Sequence, residues 1–152
     1  MGEQYYPSIR IHIAPTGYFH GGRRHNHIDM YVLLLEQTKL LILDTCFGRG
    51  AGTAKEYDQI AEQEGFRLVR YDGSQDGVEF PLNALVLPSL QGNTDFVVTD
   101  KKSASLNKLL LDEGAETVLV DMPLKLNPGG KIHCQTNTCG PGDNPEDYLD
   151  DY

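Results

Sequence analysis

The chain has 152 residues, enough for one domain with a single core, and its 39% hydrophobic content belongs to a globular rather than a disordered polypeptide. A formal net charge of -9 argues against nucleic acid as a partner, and no apolar run reaches the ~18 residues of a membrane span. Three cysteines (Cys46, Cys134, Cys139), with no CxxC pair, fit a reducing, cytoplasmic setting better than a disulfide scaffold. The N-terminus MGEQYYPSIR lacks the apolar core of a signal peptide.

In chain order, residues 8–14 (SIRIHIA) alternate like a strand and stop at Pro15, before a glycine-rich loop. Residues 28–36 (IDMYVLLLE) and 39–45 (KLLILDT) then read as a hairpin around Gln37 and Thr38. Their leucines do not alternate with polar residues, so this sheet is expected to be covered on both faces. Thr53 and Glu56 fit a capping box opening a helix, which Gly65 closes. Residues 66–71 (FRLVRY) return as a strand.

The pattern then recurs. Residues 83–87 (NALVL) and 95–99 (DFVVT) read as strands. Residues 103–113 form a helix with Leu106, Leu109 and Leu110 on one face, stopped by Gly114, and 116–122 (ETVLVDM) make the next strand. EGFRLVRYD at 64–72 overlays EGAETVLVDM at 113–122: a helix end at Glu-Gly, then an apolar strand closing on an aspartate. The chain thus reads as two β-β-α-β units in an α/β (α+β) fold, and such repeats pack around an axis. Residues 1–141 form the expected domain, and 142–152 an acidic, flexible tail. Asp143, Glu146, Asp147, Asp150 and Asp151 supply five of its charges, so the remainder carries -4 of the -9, favouring a cationic over an anionic partner.

Two stretches carry chemistry. In HNHIDMY, an extended backbone puts His25, His27 and Asp29 on one face. In NPGGKIHCQTN, Gly129 and Gly130 precede a strand bearing His133 and Cys134 on opposite faces, so the thiol needs a partner elsewhere, and His27 is the natural choice. A cysteine in an apolar strand also reads as a small core residue. A further reading is a zinc site at His25/His27/Asp29 with Cys134 or His133 added. The H-x-H-x-D string resembles that of metallo-β-lactamases, but their motif continues with histidine where this chain has Met30.

HIDMY, followed far downstream by GGKIHCQTN, resembles the guanidino-group-modifying (pentein) superfamily. That group comprises protein-arginine deiminases, agmatine and arginine deiminases and amidinotransferases. NALVLPS and IHCQTN are most similar to the C-terminal catalytic domain of protein-arginine deiminases, and the likeness runs from about Asn26 to Asn137. The resemblance implies β-β-α-β modules in an α/β propeller, of which about two are present. It implies Cys134 as nucleophile, His27 as general acid/base and Asp29 as guanidinium ligand. The implied reaction is arginine deimination without a cofactor in the chemistry, on an arginine-containing protein or a small guanidino compound.

It further implies calcium dependence in assembling the site, although nothing here reads as a calcium loop. The family string H-C-G-T-N has Gln135 in place of glycine. The family's earlier substrate carboxylate precedes the H-x-D strand, where Glu3 is the sole acid. The resemblance implies five modules around a pseudo-fivefold axis, and two cannot close that ring, so the chain is expected to be a fragment, a homo-oligomer completing its site, or a catalytically silent arginine-binding relative.

Overall fold

The computed structural model describes residues 28–45, 55–88, 94–122 and 131–136. The described residues form a mixed α+β arrangement of two three-stranded sheets and two α-helices. The first unit runs β1 (Val32–Leu35), β2 (Leu40–Asp44), α1 (Lys55–Glu64), β3 (Arg67–Tyr71); β2 pairs antiparallel with β1 and parallel with β3. The second runs β4 (Leu85–Pro88), β5 (Asp95–Asp100), α2 (Ala104–Asp112), β6 (Glu116–Val120), with the same antiparallel and parallel pairings. The expected β-β-α-β repeat is therefore present as topology.

It is also present in backbone detail. Phe66 N–H donates to the Ala61 carbonyl as Ala115 N–H donates to Leu110, and Thr45 N–H donates to Tyr71 as Lys101 N–H donates to Val120. Gly65 and Gly114 both take left-handed φ, at 72° and 86°. Each ends its helix where a side-chain-bearing residue would be strained, which is why Glu-Gly recurs.

The uninterrupted leucines of β2 have a direct cause. Leu40 and Ile42 enter one buried cluster with Leu33, Leu35, Leu82, Val97, Leu106 and Leu110, which joins both units. Leu41 and Leu43 enter another with Met30, Tyr31, Tyr57 and Ala61. Alternate residues of a strand face opposite ways, so a strand covered on both sides has no polar position to spare. Every residue of β2 is buried, whereas β1 leaves Leu34 exposed, so coverage on both faces holds for the central strand alone. The units are also clasped by Asp95, buried at the start of β5, which accepts from Gln37 N–H (3.2 Å), Thr38 N–H (2.8 Å) and Thr38 Oγ1 (2.9 Å).

Two strand expectations are corrected. The strand placed from residue 28 starts only at Val32, because Ile28–Met30 is a turn of 3-10 helix closed by Tyr31 N–H on the Ile28 carbonyl at 3.1 Å. An extended chain would put Asp29 and Tyr31 on one face. The turn instead buries Met30 and Tyr31 together and leaves Asp29 facing another way. His133–Gln135 is likewise a 3-10 helix, closed by Thr136 N–H on His133 at 3.2 Å. The segment 8–14, Thr53 of the capping box and the 142–152 tail lie outside the described residues. Among the described residues no helix is long and apolar enough to cross a membrane.

Candidate functional site

Asp29, at the turn before β1, meets the 131–136 segment from the far end of the chain. The Cys134 thiol donates to Asp29 Oδ2 at 3.1 Å, and His133 Nδ1 lies 3.1 Å from the same oxygen. The 3-10 turn makes this convergence. On a strand the two side chains would point apart; on a tight turn both reach one carboxylate. The expectation that His133 and Cys134 lie on opposite faces of a strand is therefore corrected: both side chains meet Asp29 Oδ2.

Asn83, just ahead of β4, completes the cluster. Its Nδ2 donates to Asp29 Oδ2 at 2.6 Å and to Cys134 Sγ at 3.2 Å. Its Oδ1 accepts from Lys131 N–H (2.9 Å) and Cys134 N–H (3.3 Å). Sequence reasoning did not single out Asn83 as functional, although one signal was there: a lone amide in the apolar run PLNALVLP must find partners once buried.

The segment is also anchored from below. Lys131 is buried, and its ammonium reaches Asp100 Oδ2 at the end of β5 at 3.1 Å. Ile132 is buried beside it, while His133 and Cys134 are exposed. The thiol is thus accessible yet held.

The electrostatics divide the pair. Partial burial works against the Asp29 carboxylate, but bonds from Cys134, His133 and Asn83 and the attraction of His133 outweigh it and hold its pKa below the usual carboxylate value. An ionised carboxylate only accepts, so His133 Nδ1 carries a hydrogen in this contact. Burial pushes the Cys134 thiol up; the Asp29 bond and charge push it further, and the Asn83 amide works the other way. The resting group is a thiol beside a carboxylate. A cation placed at Asp29 would neutralise the charge that opposes ionisation.

Asp29 and His133 also line a cavity of about 660 Å³ whose other walls are mostly apolar, including Leu34, Tyr57, Phe66 and Val86. Among the described residues no group of three or more His, Cys, Asp or Glu is arranged to hold a metal ion. His25 and His27, named with Asp29 in the sequence, lie outside the described residues, as do Cys46, Cys139 and Glu3. No protein-family model, no curated protein and no solved structure matches this chain.

Proposed function

We propose that the chain is a guanidinium hydrolase of the deiminase type, with Cys134 as nucleophile, Asp29 as guanidinium ligand and His27 as acid/base. One observation carries the reading: residues 105 apart in sequence converge so that the Cys134 sulfur and the Asp29 carboxylate are 3.1 Å apart. A ligand for a cation beside a nucleophilic atom is the pairing this chemistry needs. The three bonds that Asp29 accepts from Cys134, His133 and Asn83 all fall on Oδ2, so among the described residues Oδ1 is the oxygen left for guanidinium N–H groups.

The bound cation favours loss of the thiol proton to solvent, and the thiolate attacks the guanidinium carbon, forming a C–S bond as the C=N pair moves to nitrogen. The C–N bond to the leaving nitrogen then breaks, and ammonia departs with a proton from His27. Water, giving one proton to the same histidine, adds to the thiouronium carbon; the C–S bond breaks, the remaining hydroxyl proton passes to sulfur, and a ureido product leaves with the thiol restored. The substrate is an arginine-bearing protein or a small guanidino compound. On the same reading the two β-β-α-β units are modules of an α/β propeller, a proposal supported by their matching topology.

Incubation with an arginine peptide and with agmatine, followed by assay of ureido product and ammonia, tests the reaction. Cys134→Ala is expected to abolish product, and unchanged turnover in that variant rejects the nucleophile. The protonated resting thiol supports a second reading, an arginine-binding module without turnover. That reading expects arginine-dependent association, no product, and a Cys134 inert to haloacetamidine.

A further inference from the structure

We infer that Asn83 is a working residue of the site, a fixed hydrogen-bond donor to the Cys134 sulfur that favours its ionised form. Asn83 is 1% exposed, so both ends of its amide must find partners within the protein. Its oxygen meets two backbone donors, Lys131 N–H and Cys134 N–H, and only an oxygen can accept them. The orientation of the amide is therefore set by chemistry. The nitrogen must face the other way, where it meets Asp29 Oδ2 and Cys134 Sγ.

The amide is also immobilised through its own backbone: Asn83 N–H donates to the Phe80 carbonyl at 3.1 Å, and its carbonyl accepts from His133 N–H at 3.5 Å. A donor held at a sulfur stabilises thiolate over thiol, because only the anion gains a charge-assisted bond. Asn83 and Asp29 thus act on one sulfur with opposite sign. Among the described residues the other titratable group at this cluster is His133, on the same carboxylate; the Lys131 ammonium is engaged with Asp100. This effect on the sulfur does not depend on the proposed hydrolysis.

The experiment uses the full chain with Cys46→Ser and Cys139→Ser, so that Cys134 is the sole thiol. Its ionisation is followed by ultraviolet thiolate absorbance and by the rate of iodoacetamide alkylation across pH. Asn83→Leu is expected to move the midpoint up by about one pH unit and to slow alkylation below the midpoint about tenfold. Asn83→Ala also removes the donor and adds no charge beside the sulfur, and is expected to move the midpoint up as well. It carries the test if the leucine variant fails to fold. A purely structural Asn83 would leave the neutral variants with the parent midpoint, and that result overturns the inference. Loss of guanidinium turnover with an unchanged midpoint would also reject it, while a raised midpoint in a chain that hydrolyses nothing would leave it standing.

Discussion

Cys134 Sγ and Asp29 Oδ2 stand 3.1 Å apart, a hydrogen-bonded thiol and carboxylate drawn from opposite ends of the described chain. Two acidic groups in contact cannot both ionise cheaply, and here the carboxylate keeps the charge.

Replacing that charge has a defined sign. Asp29→Asn removes the anion that opposes thiolate formation, so Cys134 should ionise at lower pH. Its alkylation by iodoacetamide below the parent midpoint should then speed up, about tenfold for each pH unit by which the midpoint falls. Under the proposed reaction the same variant should lose about 10- to 100-fold in turnover, the worth of a charge-assisted hydrogen bond to substrate. Faster alkylation together with slower hydrolysis separates the two roles. Slower alkylation would contradict the electrostatic account.

The buried pair Lys131–Asp100 anchors the thiol segment, with side chains 5% and 4% exposed. Lys131→Met leaves a buried carboxylate without its cation and should cost about 3–5 kcal/mol in chemical denaturation. Adding Asp100→Asn should recover much of that loss. Burial lowers the lysine pKa, and Asp100 only partly restores it. The unfolded chain then holds this proton to higher pH than the folded one, so the group's contribution to stability grows as pH rises towards the ordinary lysine value. Denaturant midpoints of the parent and of the double variant across alkaline pH read that difference.

Asp76 caps α2 from a distance. Its carboxylate accepts from Ser105 N–H (2.9 Å), Ser105 Oγ (2.6 Å), Tyr71 OH (2.8 Å) and Leu106 N–H (3.4 Å). Asp76→Ala should cost about 0.5–2 kcal/mol, the range for a lost helix cap. Burial opposes the charge, but these bonds prevail and the pKa is lowered. The contribution is therefore complete above the ordinary aspartate value and is lost as pH falls through the lower folded one. Acid titration of thermal stability should show a smaller dependence in the alanine variant.

Gly73 and Gly114 should fail by different routes. A Cβ at Gly73 would lie 2.2 Å from Asp44 Oδ2, inside the carboxylate that accepts its own N–H at 3.2 Å. Gly73→Ala should cost about 1–3 kcal/mol through that collision, and Gly73→Asn should be worse. At Gly114 a Cβ meets nothing within 4 Å, but φ is 86°. Gly114→Ala should cost about 1–2 kcal/mol from backbone strain alone. Gly114→Asn should cost less, because asparagine tolerates the left-handed region. Melting curves for the four variants would reverse that order if contact and strain were misassigned.

Much of the fold was legible in the sequence, because it is written in short-range signals. The Glu-Gly stops, the leucines on one face of α2 and the unbroken apolar β2 each follow from residues within a few positions of one another. Those signals sufficed to find two copies of one β-β-α-β unit. The residue types at Cys134 and Asp29 also marked them as able to do chemistry before any contact was known.

What the sequence could not decide was the conformation at either end of the site. Period-2 reading made strands of 28–31 and 132–136, where tertiary packing of Met30, Tyr31 and Ile132 selects 3-10 turns instead. Only that change aims His133, Cys134 and Asp29 at one another. The role of Asn83 was hidden for the same reason: its partners lie 54 residues before it and 51 after it. Local propensity and periodicity determine which segments exist and which faces are apolar. The meeting of a thiol, a carboxylate and an amide across a hundred residues is decided by how the two units close over their shared core.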